Sequence, residues 1–308
     1  MSKIAYIFPG QGAQYFGMGK DFYDNFSESR QLFDKASDLL SMDMKKLCFE
    51  ENEQLNMTEY TQAAMITVCA AILTQVEKEG LTPSVCAGLS LGEYGALLAC
   101  GALSFEDAIK TVRSRGILMQ NTVPAGVGGM YAIIGLDPAV ISKICDETEG
   151  IVSVANYNYP EQTVITGELG AIEVAKDACL AAGAKKAVSV KVSGPFHSHL
   201  LIPAGDELKT VLDKVEILKP KFPYVSNVTA EFVSSEENIK ELLSKQVYSP
   251  VKWMQSVNAM IDSGIDTFVE IGPKKTLSQM IKKINPDVKT INIDKVDDLK
   301  TISEVKGC

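Results

Sequence analysis

The pentapeptide Gly88-Leu89-Ser90-Leu91-Gly92 constrains this chain more than any other stretch, because its flanks give it a place in a fold. Before it, Pro83-Ser84-Val85-Cys86-Ala87 has the pattern of a short buried strand; after it, Gly92 to Cys100 is a run of small and apolar residues closed by Gly101, the pattern of a packed helix. Strand, glycine-framed serine and helix in that order make a nucleophile elbow. The turn strains the backbone at the serine and crowds the positions two before and two after it, so that only glycine-sized residues fit there. Such an elbow presents the Ser90 hydroxyl at the carboxyl edge of a sheet, with the Leu91 N–H at a helix N-terminus as an oxyanion donor. The competing reading is a Gly-rich turn carrying an incidental serine.

A serine nucleophile needs a base, and the chain holds only two histidines, His197 and His199. His197 lies in Val192-Ser193-Gly194-Pro195-Phe196-His197-Ser198-His199, where a strand end beside Gly-Pro is well placed to face a cleft. His199 is expected to start the following helix and serves as the control. In α/β-hydrolases the order is Ser, Asp/Glu, His with the His late, whereas here a long segment follows His197 and no carboxylate stands out as a third member.

Composition sets outer limits. A chain of 308 residues with 46% hydrophobic and 22% charged residues suits a soluble globular protein of one large or two modest domains, not a disordered one. A net charge of −9 argues against general nucleic-acid binding, which needs a basic footprint. No apolar run approaches a membrane span, and Ile4-Ala5-Tyr6-Ile7-Phe8, cut short by Pro9-Gly10, reads as a first strand and not a signal peptide; a cytoplasmic location is expected. The seven cysteines are odd in number, widely spaced and mostly embedded in apolar stretches, without CxxC or Cys/His clusters. Buried reduced thiols are expected, and no metal site.

Alternating patterns predict strand Ile4 to Phe8, an acidic helix over about 21–40, a long helix over 62–79, the elbow, and a helix over 105–120 begun by Ser104-Phe105-Glu106-Asp107. The cluster Val123-Pro124-Ala125-Gly126-Val127-Gly128-Gly129 then punctuates the chain. Between it and about residue 192 the rhythm is strand 130–134, helix 138–148, strands 152–156 and 163–167, helix 169–182, strand 186–192. That β-α-β-β-α-β order is ferredoxin-like. After 193 come strand 224–228, helices 236–246 and 251–263, strand 267–271, helix 276–284 and strand 290–293. The fold class is therefore α/β: a discontinuous catalytic subdomain with a parallel sheet, 1–122 and 193–308, and an inserted small subdomain, 123–192.

Phe8-Pro9-Gly10-Gln11-Gly12-Ala13-Gln14 closes the first strand as a Gly-rich loop that fits neither phosphate-cradling pattern, GxxxxGK[ST] or GxGxxG, and suits an oxyanion loop or a plain turn. Arg113 and Arg115 fall on different faces of one helix; an inward Arg near the nucleophile would suit a carboxylate, because its planar fork makes two parallel charge-assisted bonds, while a surface ion pair is the blander alternative.

These residues together resemble the malonyl-CoA:acyl carrier protein transacylases. The resemblance rests on Gly88-Leu89-Ser90-Leu91-Gly92-Glu93-Tyr94, Phe8-Pro9-Gly10-Gln11-Gly12, Arg115-Gly116 with Met119-Gln120, Ser193-Gly194-Pro195-Phe196-His197-Ser198 and Val269-Glu270-Ile271-Gly272-Pro273, and runs from about residue 3 to 294. It implies an α/β-hydrolase-like large subdomain, with Ser90 as nucleophile, His197 as base and Arg115 as clamp for a malonyl carboxylate. It further implies the N–H groups of Gln11 and Leu91 as oxyanion hole, the backbone carbonyl of Gln246 as orienter of the His, Asn156 as a pocket residue, and Phe196 as a ring that crowds an α-methyl branch. One departure is Leu89, where many members have His. The implied substrates are malonyl-CoA and holo-acyl carrier protein, without cofactor, serving fatty-acid synthesis or, as the alternative, a polyketide pathway. An uncharged acyl group should strand the Arg115 cation and so be rejected. A monomer is expected, docking the acidic carrier protein through Lys185, Lys186, Lys191, Lys274 and Lys275. The rival readings are a serine thioesterase or hydrolase and a catalytically dead docking module.

Overall fold

Strand β1 (Ile4–Phe8) is buried along its whole length, and its side chains alternate between two cores: Ile4, Tyr6 and Phe8 enter one, Ala5 and Ile7 the other. A strand apolar on both faces belongs in the middle of a covered parallel sheet. The computed structural model, which describes residues 3–190, 192 and 194–306, puts it there. It pairs in parallel with β2 (Val85–Gly88) on one side and β9 (Thr267–Ile271) on the other, and the six-stranded order is β10-β9-β1-β2-β7-β8, with β7 (Tyr224–Val225), β8 (Phe232–Val233) and β10 (Lys289–Ile293). Only β8 runs antiparallel to its neighbour. Helices Thr58–Lys78 and Gly92–Ala99 pack into the core on one face; Trp253–Asp262 and Thr276–Ile284 cover the other.

The second sheet has the order β4-β5-β3-β6, with β3 (Gly128–Ile134), β4 (Val152–Tyr159), β5 (Gln162–Glu168) and β6 (Lys186–Ser189) antiparallel throughout. Helices Pro138–Glu147 and Leu169–Ala181 share a separate core with it. This is the ferredoxin-like arrangement expected from the strand and helix order. A parallel bridge joins the sheets' two bodies: the Val251 N–H donates to the Ala155 carbonyl at 2.8 Å and the Tyr157 N–H to the Val251 carbonyl at 2.9 Å.

Local differences from the sequence reading have physical causes. The helix expected over 21–40 is two, Lys20–Asn25 and Ser27–Leu40, because Phe26 is extended (φ −127°, ψ 123°) with its ring 5.9 Å from that of Phe22. The helix expected to start at His199 opens there as a 3₁₀ turn, His199–Leu201, and becomes α-helical over Ile202–Leu212, with Pro203 in the first turn, where its missing N–H has no partner to lose. The strand expected over 224–228 stops at Val225. Lys191, Ser193 with the boundary there, and Cys308 lie outside the described residues. The six described cysteines are buried and free; burial pushes the Cys145 thiol up to about 12 and Cys100 to about 11, so neither is a thiolate nucleophile near neutrality. No helix among the described residues is long and apolar enough to cross a membrane.

Backbone contact, not conformation alone, fixes the elbow glycines. A Cβ on Gly92 would sit 2.0 Å from the Phe8 carbonyl oxygen, and one on Gly88 2.0 Å from the Gly92 carbonyl carbon. Neither obstacle can rotate away. Gly92→Ala is expected to cost about 3 kcal/mol or more, as overpacking against fixed backbone does, read as a lowered denaturant midpoint; an unchanged midpoint would contradict this packing.

Candidate active site

The strands β1, β2 and β9 end at one sheet edge, where loops leave room for chemistry. Ser90 follows β2 in the left-handed region, φ 53°, as an elbow nucleophile must. His197 also has a left-handed backbone, φ 58°, which turns its ring inward from the segment entering helix Ile202–Leu212. Its Nε2 lies 2.8 Å from Ser90 Oγ, and its Nδ1 lies 2.8 Å from the Gln246 carbonyl oxygen. That carbonyl can accept only from an Nδ1–H, so Nε2 is the free acceptor facing the serine. Burial first, and then the Arg115 charge, push His197 down to about 4, against the pull of the Gln246 and Ser249 backbone contacts. The imidazole is therefore neutral near pH 7. His199 is exposed at the start of a short 3₁₀ turn and is not brought to the site.

Arg115 is 1% exposed, on helix Phe105–Asn121. Its Nη1 donates to Gln62 Oε1 at 2.8 Å, and its Nη2 donates to Gln246 Oε1 at 2.9 Å and Ser90 Oγ at 3.2 Å. Arg113, two positions earlier, turns outward to an ion pair with Glu59 at 2.8 Å and lies over the Tyr60 ring. Burial lowers the Arg115 pKa while Tyr94 and Glu93 raise it, and a guanidinium stays charged under either influence. The cation thus sits beside the nucleophile, held entirely by neutral oxygens. This revises one expectation: the Arg115 charge already has protein partners, so an uncharged acyl group would not strand it.

A cavity of about 270 Å³ opens over Ser90. Gln11, Leu91, Asn156 and Phe196 all line it, together with Ser90, Arg115 and His197. Among the described residues the Gln11 and Leu91 N–H groups have no hydrogen-bond acceptor, which leaves both available to an oxyanion. The Gln11 side chain anchors its loop by donating to Thr58 Oγ1 at 3.1 Å. Leu89 turns away from the dyad's partners into the core around Trp253 and also reaches the cavity wall. Of the lysines, Lys274 and Lys275 are exposed next to Thr276, a lining residue, and Lys274 Nζ donates to the Gly12 carbonyl at 3.2 Å. Lys186 opens β6 and Lys185 precedes it, whereas the chain beyond the other end of that strand leads to Val190 at the cavity wall, so these two are not brought to the rim.

The roles of Gln62, Glu93 and Asn227, and that of the Gln246 side chain, escaped the sequence reading. Gln62 and the amide of Gln246 hold Arg115. Glu93 is fully buried in helix Gly92–Ala99 and accepts from Gln246 Nε2 at 2.7 Å. Burial raises it to about 7 against the opposing influence of Gln246, Asn227 and Arg115. Asn227 bridges to the elbow. The signal for Glu93 was available: it is the lone charge in an otherwise apolar helical run. Glu270, also quoted in a motif, is buried and caps helix Thr276–Ile284 by accepting from the Leu277 and Ser278 N–H groups at 3.0 and 2.8 Å. Among the described residues no three His, Cys, Asp or Glu side chains group as a metal site.

Known proteins share this architecture. The acyl transferase domain family matches residues 5–296. A malonyl CoA-acyl carrier protein transacylase of Bacillus subtilis (strain 168) is 45% identical over 297 residues, spanning 95% of this chain and 94% of its own. The crystal structure of the transacylase of that name from Clostridium perfringens superposes with a TM-score of 0.95 at 45% identity, covering 99% of this chain and 98% of the other. A malonyl-transacylase solved in complex with its type II PKS acyl-carrier protein gives 0.95 at 41%, covering 99% and 100%. By sequence along nearly its whole length and by fold, the chain belongs to the acyl transferase family, among the malonyl CoA-acyl carrier protein transacylases.

Proposed function

We propose that this chain transfers the malonyl group of malonyl-CoA to the phosphopantetheine thiol of an acyl carrier protein in two half-reactions, supplying fatty-acid chain elongation. The observation that carries the reading is the placing of the buried Arg115 guanidinium 3.2 Å from Ser90 Oγ, a serine already paired with a neutral imidazole. A serine hydrolase acting on uncharged acyl groups has no use for that cation. His197 Nε2 takes the Ser90 proton as Oγ attacks the thioester carbonyl; the oxyanion is met by the Gln11 and Leu91 N–H groups, and coenzyme A leaves as a thiol carrying the proton back from His197. The carrier's thiol then gives its proton to His197, attacks the malonyl-serine ester, and restores Ser90. The Gln246 carbonyl orients the imidazole, Phe196 and Asn156 shape the acyl end of the cavity, and the steps draw on no cofactor or metal beyond the two substrates.

The test is intact-mass analysis after mixing with malonyl-CoA. A malonyl adduct on Ser90 that persists until holo-acyl carrier protein is added supports transfer; spontaneous loss of the adduct in water within the time of a turnover would identify a thioesterase. The complex of a relative with its type II PKS acyl-carrier protein favours one second reading, service to a polyketide carrier. Discharging the adduct in parallel with a fatty-acid and a polyketide carrier separates the two.

The carrier is expected to meet the protein as a monomer at the exposed Lys274 and Lys275, since such carriers are acidic while this chain is acidic overall and needs a local basic rim. Lys275→Glu should raise the KM for carrier protein several-fold and weaken its salt dependence, with transfer to free pantetheine unchanged. Equal effects on both acceptors would place Lys275 elsewhere in the mechanism.

A further inference from the structure

The β2–β7 ladder ends one step too early for the elbow it supports. Its parallel register pairs Cys86 with Tyr224, and the Cys86 N–H donates to the Pro223 carbonyl at 3.0 Å. Continued in two-residue steps, that ladder would have the Asn227 N–H donate to the Gly88 carbonyl and the Ser90 N–H donate to the Asn227 carbonyl. Neither main-chain bond forms. The Asn227 side chain makes both instead: Nδ2 donates to the Gly88 carbonyl at 2.7 Å, and Oδ1 accepts from the Ser90 N–H at 2.6 Å. The main-chain groups so released are spent elsewhere, the N–H on Glu93 Oε2 at 3.3 Å and the carbonyl on the Lys252 N–H at 3.0 Å.

We infer that Asn227 is a positioning residue for the transfer reaction, its side-chain amide standing in for the missing strand backbone and holding Ser90 in its left-handed conformation. The Ser90 backbone could not keep φ 53° and a regular ladder at once, since the chain must turn sharply there. A side-chain amide reproduces the donor and acceptor of a peptide group while letting the main chain of residue 227 diverge. Asn227 is 1% exposed, so both bonds are made away from water. Its main chain also ties the elbow to the rest of the site: Glu93, which receives its N–H, receives the Gln246 amide too, and Gln246 Nε2 in addition donates to the Ser90 carbonyl at 2.8 Å. Through Lys252 and the adjacent Val251 bridge the same residue connects to β4, which carries Asn156. The nucleophile is thereby gripped at its N–H by one amide and at its C=O by another.

The inference rests on Ser90 being the nucleophile, and the experiment separates the two. Single-turnover acylation by malonyl-CoA is measured per folded molecule for the wild-type chain, Asn227→Ala and Asn227→Asp, with malonyl-CoA affinity measured in the Ser90→Ala background with and without Asn227→Ala. Loss of the amide should slow acylation about 10- to 100-fold, as misplacement of a reacting group by around an ångström does, while leaving the affinity within about twofold, since no contact to substrate is removed. Asn227→Asp supplies an internal rescue. A protonated carboxyl has the same donor and acceptor as the amide; a carboxylate keeps the acceptor and loses the donor to Gly88. The introduced acid would lie beside Glu93, with Tyr224 on the adjoining strand and Arg115 and His197 beyond Gln246, and its acylation rate relative to wild type should climb as pH falls from 8 to 6. A purely structural Asn227 predicts a lowered denaturant midpoint with a wild-type rate per folded molecule and a flat ratio, and either result overturns the inference. Should the wild-type chain itself fail to acylate at Ser90, the functional reading falls and takes this one with it; normal wild-type acylation matched by Asn227→Ala overturns this one alone.

Discussion

His197→Ala is expected to slow formation of the Ser90 acyl-enzyme by about 10⁴-fold, the upper range for loss of a positioned general base, while His199→Ala stays near the wild-type rate. The contrast follows from placement. His197 is buried with Nε2 2.8 Å from Ser90 Oγ, and His199 is exposed outside the cavity. His199, the one other imidazole of the chain, lies outside the cavity and cannot substitute, and the Glu93 carboxylate accepts from Gln246 Nε2 and the Asn227 N–H instead of meeting Ser90 Oγ. The pH profile gives an independent check. The base works when neutral, so the acylation rate follows the deprotonated fraction: it should hold from pH 8 down to about 5 and fall as pH drops through the folded-state value of about 4. An ordinary histidine would begin to lose activity near pH 6.5. Rapid-quench acylation across this range decides between them, and a decline centred near 6.5 would mean that the site is more hydrated than its packing indicates.

The chemistry of this chain was legible where local pattern and chemistry coincide. Ser90 could be read because the glycines around it are demanded by fixed backbone, that of Gly92 meeting Gly88 within the turn itself and that of Phe8 on the first strand meeting Gly92. His197 could be read because the chain has only one other histidine. Strands and helices with a clear pattern were mostly placed to within a few residues, and their order was enough for a parallel sheet and a ferredoxin-like one, while the two-residue β8 was too short to leave a pattern. What stayed illegible was held by long-range amides. Gln62 is one glutamine in a helix buried nearly all round, so no periodicity marks the face that meets Arg115. Asn227 sits where the pattern of Tyr224 to Val228 continues as a strand, and only the three-dimensional end of the ladder reveals that its side chain has replaced its backbone. The double role of Gln246, carbonyl to the imidazole and amide to Arg115, Glu93 and Ser90, has no expression in sequence spacing because its partners come from three other elements.

Arg115→Ala is expected to reduce kcat/KM for malonyl-CoA by about 10³-fold, equivalent to two charge-assisted hydrogen bonds at about 2 kcal/mol each, and to change acetyl-CoA turnover by far less. The asymmetry comes from how the protein itself satisfies the cation. Its partners are the Gln62 and Gln246 amide oxygens and the Ser90 hydroxyl, all neutral, while its buried Nε has no partner among the described residues. A malonyl carboxylate reaching the guanidinium replaces dipoles by a full opposite charge at a site with little water to screen it. An acetyl group leaves the existing contacts in place, so it is disfavoured by a missing gain and not by a stranded charge. Selectivity is then set by attraction to the carboxylate, and removal of the cation should collapse the malonyl-to-acetyl preference mainly from the malonyl side. Arg115→Lys distinguishes charge from geometry: it restores the charge without the planar fork and should recover part of the malonyl rate. Alanine also leaves the Gln62 and Gln246 oxygens without a donor and takes from Glu93 the charge that helps lower its pKa, which favours the protonated acid. A loss of stability of about 1–3 kcal/mol for each buried oxygen left unpaired is therefore expected alongside the kinetic change, and rates are to be compared per folded molecule. Should acetyl transfer rise strongly in Arg115→Ala while malonyl transfer is only modestly reduced, the cation would be acting by exclusion, and the neutral contacts seen around it would not describe the site when an acyl group is bound.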